Sequence, residues 1–486
     1  MQEWDAQGLY TAFKAKDTRF DGRFYIGIAS TGIYCRPVCR ARMPKAENCS
    51  YYRTAAQAEQ AGYRPCLLCR PELAPGNSVM DASRCLAQRA ARLLEVNCGS
   101  GLRLNELAGS LGCSDRHLRR IFTAEYQVTP VQYLQTCRLL LAKSLLTDTD
   151  LSVLEVAMAA GFGSLRRFND LFKSHYRLSP TQLRKQVKTG TVQSEITLTL
   201  GYRPPYDWQQ ILTFLGARAI PGVEVVTDRT YLRTARFCCG DDKSVSGWIR
   251  VSRHKHRDAL NVTVSASLLP VLPQVLARVR HLFDLQCDPE AVAEILEPMN
   301  QIRPGLFTKG VRVPGAFDAF ELTVRAVLGQ QITVRAARTL AGRLTEQYGE
   351  PVETGIAGLT HTFPGPAKLL ALIGPIEDHL GPLGIIAARA RTIAALAEAC
   401  NQGQIDFDLC ARPELEIEKM MAIPGIGTWT ANYIAMRAME WPDACMITDH
   451  GVKAALPFCQ ATELAALADQ WHPWGSYATV NLWNSL

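Results

Sequence analysis

Apolar spacing divides the 486-residue chain into four stretches, each with its own rhythm. Residues 1 to about 75 carry short aromatic runs with little helical periodicity and end on an Ala74-Pro75-Gly76-Asn77 turn signal. From Asp81 to about Gln186 the spacing becomes helical, in amphipathic segments split at Gly99-Ser100-Gly101, Gly112, Thr129-Pro130, Gly161-Phe162-Gly163 and Ser179-Pro180. Two of these segments, 104–122 and 153–172, repeat one pattern. A polar run at 188–194 reads as a linker, after which Glu195 to Leu200 alternates with a period of two. Strand-like runs at 223–226, 231–237, 246–251 and 260–264 follow, alternating with helical stretches. From about Cys287 onward, Ala- and Leu-rich helices dominate. The pattern predicts four domains, at 1–78, 79–188, 195–286 and 287–486: a small metal-stabilised domain, an all-α domain, a small α/β domain and a second all-α domain.

Composition leaves this picture intact, since 47% apolar and 20% charged residues are ordinary for a folded protein. Charge changes it. Residues 1–190 hold 27 Lys and Arg against 16 Asp and Glu, a balance of +11, while the remainder holds 26 against 30, a balance of −4. A basic excess confined to one part points to an anionic polymer as partner. The first 20 residues have no long apolar region, and the most apolar stretch, Val262 to Leu276, is broken by Ser265, Ser267, Pro270 and Pro273. Neither a secretion signal nor a membrane span is expected. Sixteen cysteines without an export signal read as reduced thiols and metal ligands, which favours the cytoplasm.

Two cysteine pairs, Cys35-Arg-Pro-Val-Cys39 and Cys66-Leu-Leu-Cys69, stand 26 residues apart. That spacing lets four thiolates reach one tetrahedral Zn²⁺, whose usual role in such a set is structural. The flanking words GIYCRPVCRAR and GYRPCLLCRP resemble the N-terminal domain of Ada-type DNA repair regulators over roughly residues 5–75. The resemblance implies that Cys35 accepts a methyl group from a DNA methylphosphotriester, with Cys39, Cys66 and Cys69 as the other ligands. Arg36, Arg40, Arg42, Arg64 and Arg70 are the expected DNA-backbone clamps. Four thiolates on Zn²⁺ carry two negative charges in excess, and a thioether at Cys35 leaves one. At about 6 Å from a phosphate, one charge is worth roughly 1 to 3 kcal/mol.

Leu104 to Ala108, the turn at Gly112-Cys113-Ser114 and Asp115 to Phe122 read as helix, turn and helix, with Ser114 as N-cap. The same grammar recurs at Val153 to Ala160, Gly161 to Ser164 and Leu165 to Lys173. With Pro130, Tyr133, Arg138, Ala142, Phe168, Phe172-Lys173 and Ser179-Pro180, the pattern resembles the AraC-type DNA-binding domain over about 83–186. It implies base readers at Arg116, His117 and Arg120 and at Arg166, Arg167 and Asn169, in successive major grooves.

The word Ile423-Pro424-Gly425-Ile426-Gly427-Thr428-Trp429 puts a Gly-rich hairpin at the start of a helix, where backbone N–H groups can meet a DNA phosphate. Asp449 follows Gly427 by 22 residues. Alone, an Asp before a helix reads as an N-cap. Hairpin and Asp together resemble the helix-hairpin-helix glycosylase superfamily. YRPPYDW, FLGARAIPGVE, RPGL, DAFELTVRAVLGQQ and PWGSYA extend the likeness to AlkA-type 3-methyladenine DNA glycosylases across about 195–486. It implies Asp449 as the catalytic carboxylate, Trp429, Tyr433, Trp483 and Phe214 as base-pocket aromatics, and Gly425 and Gly427 as phosphate binders. Trp429 stands where bifunctional relatives carry a Schiff-base lysine, which implies a monofunctional enzyme. Gln331 stands at the position of an apolar intercalating wedge and His450 replaces a pocket aromatic. The sequence also stops shortly after Trp483, where the family has a C-terminal extension.

Together these readings give a multidomain fold class: a small zinc-bound α/β domain, an all-α double helix-turn-helix domain, a small α/β domain and an all-α helix-hairpin-helix glycosylase domain. The expected function is alkylation repair joined to regulation of the adaptive response, with one Cys₄ zinc and no organic cofactor. Expected partners are alkylated and promoter double-stranded DNA and RNA polymerase, with no membrane. A regulator with a non-catalytic, damage-binding second half is the competing reading. No Pro-Cys-His-Arg word occurs, so reversal of O6-alkylguanine is not expected.

Overall fold

A computed structural model describes residues 6–17, 20–53, 55–71, 79–100, 103–186, 195–238, 244–407, 413–444 and 446–486. The turn signal at 74–77 and the linker at 188–194 lie outside these residues. The cysteine-rich stretch opens on a helix, Ala6–Ala15, that its weak periodicity did not predict. Strands β1 (Tyr25–Ile28), β2 (Ile33–Cys35), β3 (Cys49–Tyr52) and β4 (Arg64–Pro65) follow, in the order β3-β1-β2-β4.

Both helix-turn-helix units fall where the repeated pattern put them. Leu104–Ser110 pairs with Asp115–Tyr126, and Val153–Ala159 pairs with Leu165–Tyr176. The turns are built alike. Gly112 and Gly161 supply left-handed backbone (φ +67° and +80°), and the Ser114 and Ser164 side chains cap the second helices. Each second helix ends on a left-handed residue, Gln127 and Arg177. The helix Pro130–Asp148 joins the units, started by Pro130 and a Thr129–Gln132 capping box.

The alternating runs become β5 (Ile196–Gly201), β6 (Glu224–Val226), β7 (Thr230–Cys238), β8 (Ser244–Arg253) and β9 (Ala259–Val264). One α-helix, Trp208–Arg218, lies among them, so the sheet is an antiparallel meander with β5 returning beside β9, in the order β5-β9-β8-β7-β6. Helices then continue to Gly475–Asn484.

Two hydrophobic cores run across the expected domain boundaries. The second helix-turn-helix unit shares its core with the sheet: Leu139, Leu145, Val156 and Phe168 join Leu198, Leu200 and Val262. The Asp148 carboxylate accepts the Thr199 N–H at 3.1 Å across this seam. The first unit keeps a core of its own, around Ala87, Leu107, Leu118 and Phe122. The cysteine-rich domain packs on the C-terminal helices. Phe20, fully buried, meets Trp474 edge-on at 5.8 Å and Trp441 at 6.3 Å. The Arg23 guanidinium lies 4.0 Å over the Trp441 ring and pairs with Glu414.

Removing the Phe20 ring therefore leaves a cavity between two domains. Phe20→Ala should destabilise by about 3 to 5 kcal/mol and split calorimetric unfolding, with residues 6–71 melting ahead of the C-terminal helices. An unchanged melting profile would mean that the interface carries no stability.

Candidate functional sites

The four cysteines converge. β2 ends on Cys35, Cys39 follows after a turn, and Cys66 and Cys69 flank the turn after β4, with the four Sγ atoms within 4.8 Å of one another. A tetrahedral Zn²⁺ about 2.3 Å from each sulfur puts sulfurs about 3.8 Å apart, so the set fits one ion. Donating hydrogen bonds to Cys39 and Cys69, together with burial, pushes the Cys35 thiol far up. Four thiolates so close require a dication, and the donor set is that of zinc. Cys35 is 2% exposed, whereas Cys69 is half-buried.

One expected clamp is corrected. Arg36 is 3% exposed, and its guanidinium is committed to a buried ion pair with Asp21 and to the Cys69 carbonyl at 3.2 Å. Its N–H also donates to Cys69 Sγ at 3.4 Å. Arg36 thus braces the cysteine cluster from inside. The residue lies next to a ligand in sequence, and its neighbours in the fold claim it. Arg40, Arg42, Arg64 and Arg70 are exposed.

On the recognition helices, Arg116 and Arg120 are exposed and Arg120 Nη2 lies 3.3 Å from His117 Nδ1. Arg166 and Arg167 are exposed, outside any ion pair among the described residues, while Asn169 is half-buried. Ser164, Arg166, Arg167 and Asp170 line one open groove on the second recognition helix.

The third site gathers around Asp449. This residue caps the helix His450–Ala455, its Oδ1 accepting the N–H groups of Gly451 (2.8 Å) and Val452 (3.1 Å). Two indoles add to it: Trp483 Nε1 donates to Oδ1 and Trp429 Nε1 to Oδ2, each at 2.8 Å. Oδ2 accepts nothing else among the described residues, which leaves its second lone pair free for a ligand. Trp429 stacks on Tyr433, with centroids 5.2 Å apart and planes at 9°. Phe214 is buried, faces Trp483 at 6.3 Å and carries the Arg218 guanidinium 3.8 Å over its ring. Its faces are taken up by protein, so it backs Trp483. His450 is exposed at the start of its helix.

Sequence reasoning missed the charges behind these rings. Arg437 donates to the Tyr433 hydroxyl and lies 4.9 Å from the Phe214 centroid. Burial raises the Tyr433 phenol, but Arg437, Arg218 and Arg325 outweigh it and leave its pKa below the ordinary value. Arg325 donates to the Arg218 carbonyl at 2.6 Å and pairs with Glu224 and Glu321, each at 3.1 Å. Arg233 on β7 closes the network onto Glu321 at 2.6 Å. The one legible signal is spacing: Phe214 with Arg218, and Tyr433 with Arg437, stand four apart on their helices.

The hairpin places Gly425 (φ +92°) where an added Cβ would lie 2.2 Å from Thr392 Oγ1, so only glycine fits. Thr392 Oγ1 donates to the Pro424 carbonyl at 2.8 Å. The N–H groups of Gly425 and Gly427 meet no acceptor among the described residues, and a Cβ on Gly427 would touch nothing within 4 Å. These N–H groups stand at the N-terminus of the helix Thr428–Ala438, an arrangement chemically able to accept an anion. Gln331 is exposed, with left-handed backbone (φ +54°), on the loop after the helix Ala319–Leu328.

Comparison with known proteins matches three regions: the metal binding domain of Ada over residues 8–72, a helix-turn-helix domain over 107–186 and the AlkA N-terminal domain over 197–318. DNA-3-methyladenine glycosylase 2 of Escherichia coli K12 is 36% identical over 286 residues, covering 59% of this chain and 96% of that protein. The bifunctional transcriptional activator/DNA repair enzyme Ada of Escherichia coli K12 is 39% identical over 124 residues, 26% of this chain and 34% of that protein. The probable bifunctional transcriptional activator/DNA repair enzyme AlkA of Mycobacterium tuberculosis H37Rv is 36% identical over 493 residues, 99% of this chain and 97% of that protein. With that identity sustained along nearly the whole of both chains, the protein belongs to the family of AlkA-type bifunctional transcriptional activator/DNA repair proteins.

Proposed function

We propose that the chain repairs alkylated DNA and regulates the response to that damage. Residues 195–286 and 287–486 form a monofunctional glycosylase that hydrolyses the N-glycosidic bond of alkylated bases of the 3-methyladenine type. Residues 1–78 accept a methyl group irreversibly at Cys35, and 79–188 bind promoter DNA. The observation that carries the reading is the Asp449 carboxylate, oriented by two indoles beside an open phosphate-binding hairpin, in a chain related end to end to a repair activator.

In excision, the target nucleotide leaves the stack, because its glycosidic bond is inaccessible in the duplex. Gly425 and Gly427 hold a phosphate, Gln331 fills toward the vacated stack, and Trp429, Tyr433 and Trp483 flank the flipped base with electron-rich faces that favour a cation. An alkylated purine leaves with the bonding electron pair and needs no strong acid. Asp449 Oδ2 faces the positive charge developing on the sugar and helps orient the water that adds at C1′ and loses its proton. Asp449→Asn keeps the cap and one acceptor but loses the charge. It should excise methylated bases at least about a hundredfold more slowly while still binding methylated duplex. Base release at the wild-type rate removes Asp449 from catalysis.

In the acceptor half, bound zinc keeps the cysteines as thiolates at neutral pH. Cys35 Sγ forms a bond to the methyl carbon as the carbon–oxygen bond to the phosphotriester breaks, leaving a phosphodiester anion and a thioether. Because Cys35 is buried, docking on DNA must uncover it. Arg40, Arg42, Arg64 and Arg70 are the backbone contacts, and Arg116, His117, Arg120, Arg166, Arg167 and Asn169 the base readers. RNA polymerase is the further partner, inferred from the activator named in the relative. A cytoplasmic setting goes with this reading, since reducing conditions would keep the Cys35, Cys39, Cys66 and Cys69 thiols available to a metal.

Methylation removes one negative charge beside DNA. Methylated protein should bind its promoter about tenfold more tightly at low salt, with the gain shrinking as salt rises. Titration at several salt concentrations checks this, and equal affinities at low salt leave the zinc site a repair acceptor only. Peptide mass spectrometry should find the methyl on Cys35; methyl on the more open Cys69 reassigns the acceptor.

A further inference from the structure

We propose that Gln330 is a positioning residue that locks the Gln331 loop to the phosphate-binding hairpin, so that gripping the backbone and pushing into the stack are one rigid operation. The proposal rests on the glycosylase reading above. One side-chain nitrogen, Gln330 Nε2, donates twice to the hairpin element: to the Gly425 carbonyl at 2.9 Å and to Thr430 Oγ1 at 3.1 Å. The Gln330 carbonyl accepts from Arg389 on the helix Ala387–Asn401, which also carries Thr392. Thr392 in turn holds the Pro424 carbonyl. Both hairpin carbonyls are thus pulled inward, and the N–H groups of Gly425 and Gly427 are left facing out.

The next residue, Gln331, keeps left-handed backbone, which a non-glycine residue retains only where its surroundings impose it. Gln330 supplies that restraint on one side and the cap of the helix Val334–Tyr348 by Thr333 on the other. A side chain that opens a base stack must not recoil. Here the recoil is borne by the hairpin, which is itself anchored on the DNA backbone.

The test compares wild type, Gln330→Ala and Gln330→Glu, the last keeping the size but replacing the donor with an acceptor that faces a carbonyl. Excision is measured with the alkylated base fully paired and with the same base opposite an abasic analogue, where the stack is already open. Both variants should lose about tenfold on the paired duplex and less than about twofold on the open one. In parallel, 2-aminopurine beside an abasic analogue should brighten less with the variants than with wild type. Equal losses on both substrates with unchanged 2-aminopurine signals, or wild-type behaviour of Gln330→Glu, would overturn the proposal. If wild type releases no base yet the 2-aminopurine signal still depends on Gln330, the glycosylase reading falls and the coupling stands.

Discussion

The sheet and the C-terminal helices are held together by charges largely shut off from water. Glu224 and Arg233 come from the antiparallel sheet, and Glu321 and Arg325 from one helix of the C-terminal region; all are buried or nearly so. Burial alone would push the Glu224 carboxyl up, but Arg325 and Arg233 more than offset it and hold it charged. Removing one member of such a set typically costs about 3 to 5 kcal/mol, because the partner is left as an unpaired buried charge. The network therefore fixes the sheet against the helices. Phe214, on the sheet side, and Trp483, on the helical side, meet only because that seam is closed.

A similar economy operates at Asp449. The hydrogen bonds that make it an N-cap consume Oδ1, and the indole of Trp483 completes that oxygen's set. Oδ2 keeps one donor, the Trp429 indole. The cap is thus confined to one oxygen of the carboxylate, and the helix that needs the cap also orients the other.

The acceptor and reader halves are not beads on a string. Phe20 sits between Trp441 and Trp474, and the following residue, Asp21, holds Arg36, which braces Cys69. The second helix-turn-helix unit shares a core with the sheet, whereas the first has its own. The first unit, with its own core, is tied to the C-terminal half by polar contacts instead, the Arg89–Asp406 ion pair at 3.0 Å and the hydrogen bond from Gln274 to Asn97 at 2.9 Å.

The sequence by itself determined whatever depends on local rhythm and spacing. The period of two located β5 and the strand-like runs after it β6 to β9, the repeated Gly-then-Ser turns located both helix-turn-helix units, and the paired cysteines identified one four-sulfur site. The Gly-rich hairpin before Thr428 was equally legible as a turn into a helix, while the left-handed backbone of Gly425 and its packing against Thr392 came only with the fold. Only the tertiary structure decided what each charged or amide side chain pairs with. Arg36 reads like its neighbours Arg40 and Arg42 yet is buried on Asp21, and Gln330 reads like Gln331 yet turns inward to the hairpin. Backbone preference and apolar periodicity act between residues a few positions apart, whereas Arg36 finds Asp21 15 positions away and Gln330 finds Gly425 at 95. A polar side chain's fate is set by which partner the packed cores bring within about 3 Å, and no local pattern encodes that partner.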